Sequence, residues 1–178
     1  MEKNLHFVNR EAKTKVVAFK GCLRIEHYTL LTKAIKSVVS RLIEEENAET
    51  FLFAINSSFD RCCLDAVTEL KRHYPLIRRV CILPPQQMRQ YDLNYYRLHD
   101  YDEIYNPYTE GKYGYGKSVN RSQIMIDKSD ILVTYYADDY RLFKGARLGA
   151  KMAINYALKK NKKVVNIYCE EFDILSPN

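Results

Sequence analysis

Tryptophan is absent from this chain, and so is any apolar run long enough to cross a membrane. The opening stretch "MEKNLHFVNREAKTK" is polar and mixed in charge, without a signal-peptide pattern. These absences set the expectation of a cytoplasmic protein with no membrane partner. Its five cysteines, Cys22, Cys62, Cys63, Cys81 and Cys169, are odd in number and never spaced CxxC. Adjacent Cys62 and Cys63 are a poor disulfide pair, so reduced thiols are expected. The four histidines, His6, His27, His73 and His99, are scattered without ligand spacing. No metal site is assigned to them, and no resident cofactor is expected. There is no internal repeat and no low-complexity linker. Charge is unbalanced only mildly, at +6. That is compatible with phosphate-bearing ligands or with nucleic acid, yet a basic surface this modest singles out neither.

What is present is an alternation of two periods. With 178 residues, 47% of them hydrophobic, the chain can bury one sizeable core, so residues 1–178 are read as a single domain. A polar extension is expected over about 1–14 and a short tail over about 170–178. Apolar runs predict strong strands at 16–20, 51–56, 79–83, 130–136 and 163–168, with a weaker one in "DEIYN" at 102–106. Leu30, Leu31, Ala34, Ile35, Val38, Val39, Leu42 and Ile43 recur at helical spacing before an acidic "EEEN". Ser57 or Ser58 can cap the next helix, whose apolar side carries Cys63, Ala66, Val67 and Leu70 ahead of Pro75. Another helix is expected at roughly 148–160. Strands alternating with helices imply parallel pairing, hence a three-layer α/β sandwich of Rossmann-like type with a mainly parallel sheet.

In such folds ligands bind beyond the carboxyl ends of the strands, at the switch in strand order. That rule selects "KGCLR", "NSSFD", "YNPYTEGKYGYGK" and "ADDYRLFKGARLGA". Gly21 suits a tight strand exit, with or without a ligand. Ser57 and Ser58 offer hydroxyls there, and Asp60 is either an ordinary first-turn acid favoured by the helix dipole or a ligand contact. Asp138 and Asp139 either bind ribose hydroxyls or a metal, or lie in a solvated loop, the commoner fate of such a pair. Residues 91–115 contain eight of the fifteen tyrosines. They either pack over the sheet edge or form a lid that stacks on a base. "KKNKK" at 159–163 reads as a basic helix end. The segment "SVNRSQIMIDKSD" can form a helix with Val119, Gln123 and Ile126 on one side and Arg121, Met125 and Lys128 on the other. Ser118 is its possible N-cap. Arg121 is then either a solvated surface residue or a phosphate contact near a helix start.

"RSQIM", "IDKSDILVTYY" and "GAKMAINYALKKNKKVVNI" together resemble the carboxy-terminal half of the SLOG superfamily. That group includes the Lonely Guy phosphoribohydrolases, the DNA-processing protein A fold and many bacterial proteins of unknown function. "FDRCCLDAV" is similar to a stretch of its uncharacterised branch, so the likeness runs from Val16 to Tyr168. It is most specific at Arg121, Met125, Asp127, Asp130 and the last helix. The resemblance implies a nucleotide-derived ligand such as an ADP-ribose, with Arg121, Ser122 and Gly149 joining Gly21, Ser57, Ser58, Asp60 and Asp138 as ligand-binding candidates. It also makes a homodimer plausible. The family's Gly-Gly-Thr falls on Leu148, Gly149 and Ala150, and its catalytic glutamate on Ala153, a methyl unable to do acid–base work. No catalytic residue is therefore assigned. Three functions remain, in this order: a nucleotide-derivative binding or sensing module, a nucleotide-processing hydrolase using unidentified residues, and a single-stranded nucleic-acid binder.

Overall fold

The computed structural model describes residues 13–21, 25, 27–54, 57–83, 97–107, 121–136 and 144–170, with the backbone alone at 144–148, 169 and 170. Six strands form one parallel sheet: β1 (Lys15–Gly21), β2 (Ala48–Phe53), β3 (Arg78–Ile82), β4 (Glu103–Tyr105), β5 (Ile131–Tyr135) and β6 (Lys163–Asn166). Their order is β4-β3-β2-β1-β5-β6. The order reverses between β1 and β5, which makes that pair the switch point. Helices α1 (Tyr28–Glu46) and α2 (Ser58–Leu70) cover one face; α3 (Arg121–Lys128) and α4 (Lys144–Lys159) cover the other. A short helix, α5 (Ile167–Glu170), follows β6 and adds Ile167 to the α1/α2 side. This is the three-layer Rossmann-like sandwich that the alternation predicts.

The two cores follow from strand alternation. Val17, Phe19, Phe51, Phe53, Ile131 and Val133 point toward α1 and α2, where Leu31, Ile35, Val38, Val39 and Leu42 meet them. Ala18, Leu52, Val80, Ile82 and Leu132 point toward α3 and α4. β5 has no polar face and lies inside the sheet, with Ile131 through Thr134 all buried. Asp130 and Asp127, both prominent in the sequence pattern, act as fasteners at the amino ends of the strands. The Asp130 carboxylate accepts from the Val16 N–H at 2.9 Å, while the Asp130 N–H donates to the Val16 carbonyl at 2.8 Å. Asp127 accepts from the Tyr156 hydroxyl at 3.0 Å and pairs with Lys160 at 3.2 Å, joining α3 to α4.

Some boundaries move for identifiable reasons. β2 begins at Ala48 rather than Phe51, because Asn47 takes the left-handed conformation (φ 57°) and turns the chain straight out of α1. Glu49 and Thr50 are polar and carry no apolar signal. β6 stops at Asn166 rather than 168. The Asn166 amide accepts from the Tyr136 N–H at 3.1 Å and donates to the Tyr136 carbonyl at 2.9 Å, taking over from the ladder. α4 starts earlier than 148, at Lys144. In α3 the expected two-sided split fails: Ile124, Met125 and Ile126 are all buried, since this short helix is enclosed by the sheet and α4 together. Ser118, Val119 and most of the tyrosine-rich segment lie outside the described residues. Within it, Tyr101 packs edge-on against Phe53 at 5.5 Å, and Tyr105 lies under the Lys128 ammonium at 4.5 Å. Those two rings are packing residues.

Candidate functional site

The carboxyl end of the sheet has two sides, and they differ in what fills them. On the α1/α2 side, Ser57 is the N-cap of α2. Its hydroxyl accepts from the Asp60 N–H at 3.1 Å, and the Asp60 carboxylate accepts from the Ser57 N–H at 3.0 Å. The Ser57 hydroxyl also donates to that carboxylate at 2.8 Å. This reciprocal capping box engages the Ser57 hydroxyl and one oxygen of Asp60, Oδ2, in helix-start chemistry, and Ser58 is the first helical residue. Phe59, fully buried, lies over Gly21 so closely that a methyl group there would stand 2.6 Å from the ring. Tyr135 stacks on Phe59 at 6.3 Å, and Tyr168 meets Tyr135 edge-on at 5.7 Å. Gly21 is thus required by an aromatic column, and that column occupies the α1/α2 side of the switch point.

The α3/α4 side is different. A groove of about 430 Å³ runs between the two helices. Ser122, Gln123 and Ile126 line it from α3, and Gly149, Met152, Ala153, Asn155, Tyr156 and Lys159 from α4. Residues 149, 152, 153 and 156 fall on one stripe of a 3.6-residue helix. A methyl group built on Gly149 would meet nothing within 4 Å, so its missing side chain leaves open space. Lys20, the penultimate residue of β1, enters the same groove.

The buried side-chain atoms near this end that lack hydrogen-bond partners among the described residues include Nη1 of Arg121 and Oγ1 of Thr134. Thr134 is wholly buried and pairs in register with Lys20 across β1 and β5, so both face α3 and α4. An unsatisfied buried polar atom costs on the order of 1–3 kcal/mol, and native proteins keep few of them. Arg121 opens the described part of α3, eight residues and about 12 Å above the amino ends of the strands. Burial pushes the Cys81 thiol in β3 up to about 12; Arg121 pulls against that rise and Asp60 adds to it. Both charges therefore lie within electrostatic reach of the end of β3.

Of the sequence candidates, the fold brings Ser122 and Gly149 into one groove, with Arg121 adjacent at the start of α3. Gly21, Ser57, Ser58 and Asp60 gather on the opposite side of the sheet. Asp138 lies outside the described residues. Lys20 and Thr134 were not singled out by the sequence, although each is the one polar residue in an otherwise apolar strand core. Cys62, Cys63 and Cys81 are free and buried, and burial raises all three thiols. None has the depressed pKa of a nucleophile. "KKNKK" is partly consumed by ion pairs, Lys160 with Asp127 and Lys163 with Glu46. No metal-binding cluster of His, Cys, Asp or Glu occurs among the described residues, and none of their helices is long and apolar enough to cross a membrane. No family model and no curated protein matches this chain.

Proposed function

We propose that this protein is a SLOG-like module that binds a nucleotide or nucleotide-derived ligand of the ADP-ribose type beyond the carboxyl ends of its strands. The observation that carries this reading is the buried, unpartnered Nη1 of Arg121 at the start of α3. A guanidinium edge with no acceptor, beside a helix amino end, suits an oxyanion. The planar fork can then make charge-assisted bonds that water would otherwise supply. The reading excludes phosphoribohydrolase turnover. Among the residues lining the neighbouring groove there is no carboxylate, and Ala153 stands where the resemblance calls for a catalytic acid. A homodimer in the cytoplasm fits the same resemblance.

Replacing Arg121 with alanine tests the reading. Each lost charge-assisted bond contributes roughly 1.5–3 kcal/mol, so affinity for ADP-ribose by titration calorimetry should fall at least about tenfold. Thermal stability of the ligand-free protein should change little. Lower stability with unchanged affinity would make the arginine structural and sink the proposal. In parallel, incubation with adenosine monophosphate should release no free adenine above background.

A further inference from the structure

Three polar groups from three segments of the chain meet around one thiol at the carboxyl ends of β2 and β3. Cys81 is the fourth residue of β3 and pairs in register with Phe53, the last of β2. Burial is the main cause of its raised pKa, and Arg121 and Asp60 act on it with opposite sign. Arg121 belongs to α3 and Asp60 to α2, on opposite faces of the sheet. Nη1 of Arg121 is buried without a hydrogen-bond partner, so that guanidinium edge is left for an outside acceptor. Tyr101 is the third group. Burial raises the pKa of its hydroxyl, and Cys81 and Asp60 raise it further. That hydroxyl makes no hydrogen bond among the described residues, yet the residue is firmly seated. Its ring packs against Cys81 and Leu98 and stands edge-on to Phe53 at 5.5 Å. Arg97, four residues earlier, takes the left-handed conformation (φ 53°) and bonds to Asp65 of α2 and to Asp100.

Asp60 is only 4% exposed. The capping box uses its Oδ2, and Oδ1 takes no part in the box. An exposed first-turn acid serves a helix start, whereas burying a carboxylate is costly unless it is bonded. A carboxylate is acceptor-only, so a ligand group that suits it must bring donors. A phosphate brings none; the vicinal diol of a ribose brings two. We propose that Asp60 and Tyr101 read a ribose. The ligand's phosphate lies on Arg121 and its sugar extends over the ends of β2 and β3. There the Asp60 carboxylate accepts from the 2′-hydroxyl and the Tyr101 hydroxyl bonds the neighbouring 3′-hydroxyl. An acid just past the second strand of a Rossmann-like sheet is well placed for that contact. The proposal rests on the nucleotide-binding reading above. It narrows the ligand to ribonucleotide derivatives, against deoxyribonucleotides and single-stranded DNA.

The test measures affinities for ADP-ribose, adenosine monophosphate and 2′-deoxyadenosine monophosphate by calorimetry, with melting temperatures of the ligand-free variants. The wild type should bind the ribonucleotide at least about tenfold more tightly than its 2′-deoxy analogue, the worth of one bond to a charged group. Asp60→Asn should weaken adenosine monophosphate by a similar factor and leave the deoxy analogue nearly unchanged, so the preference collapses. A purely structural acid would shift both nucleotides together. Tyr101→Phe keeps the ring against Phe53 and should leave the melting temperature unchanged. It should weaken both monophosphates about threefold or more, since each carries the 3′-hydroxyl. If Asp60→Asn fails to fold, the wild-type preference and Tyr101→Phe decide. ADP-ribose binding that depends on Arg121 but comes with no preference between the two monophosphates would overturn the ribose assignment and leave the functional reading standing. Absence of binding of every probe by the wild type would overturn that reading, and this assignment with it.

Discussion

A methyl group on Gly21 would stand 2.6 Å from the Phe59 ring, while one on Gly149 would touch nothing within 4 Å. The same substitution should therefore act oppositely at the two sites. The Phe59 ring is fully buried and stacked by Tyr135, so it has no low-energy place to go. Gly21→Ala should destabilise by about 1–3 kcal/mol through overpacking. Gly149→Ala, in the interior of α4, should stabilise by up to about 1 kcal/mol, since alanine loses less entropy than glycine in a helix. Urea denaturation of the two variants checks both signs. The buried thiols make a second expectation at this scale. With Cys62 pushed up to about 11 and Cys81 to about 12 by burial, almost no thiolate exists at pH 8. Iodoacetamide should leave both unmodified in native protein and label them in urea, read by peptide mass spectrometry.

At the scale of elements, α2 owes its start to a four-residue device. The serine at its head and the acid three residues on are visible in the sequence, and the structure turns them into a reciprocal pair. Ser57→Ala should lower stability by about 0.5–2 kcal/mol, with Ser57→Asp costing less because a carboxylate can also accept from the first-turn N–H groups. Thermal melts of the two variants compare the caps directly. α3 shows where periodicity runs out. Over eight residues, two turns, three consecutive positions are buried, so no single apolar stripe exists to be read. A helix enclosed on more than one side breaks the rule that one face is wet.

For the whole molecule, Asp102 ties the end of α2 to the β3–β4 edge of the sheet. Its carboxylate accepts from the Arg79 N–H at 2.8 Å, from the Arg79 guanidinium at 3.0 Å, and pairs with Lys71 at 2.9 Å. Partial burial pushes its pKa up, but the bonds from Arg79 and Lys71 outweigh this and hold it well below the ordinary carboxylate range. A depressed folded-state pKa stabilises the protein above the unfolded value near 3.8, and that contribution disappears as pH falls below it. Asp102→Asn should thus lower stability at neutral pH, on the order of 1–3 kcal/mol for bonds to a charged group. It should also flatten the loss of stability between about pH 4 and pH 2, measured by chemical denaturation across that range.

The strand–helix alternation is a one-dimensional property, and it alone determined the sandwich. An apolar run without a polar face, such as residues 131–135, has to lie inside a sheet covered on both sides, and β5 does. Arg121 was legible in the same way, as a cation just ahead of that strand. The pairing of Lys20 with Thr134 was not. These residues are more than a hundred positions apart and become neighbours only through the register of β1 against β5. Nor does any local pattern say that Phe59 turns its ring into the space left by Gly21. Local sequence carries which residues want burial. Which side of the switch point is filled and which left open is decided by packing between elements, because volume is shared only once the chain has closed on itself.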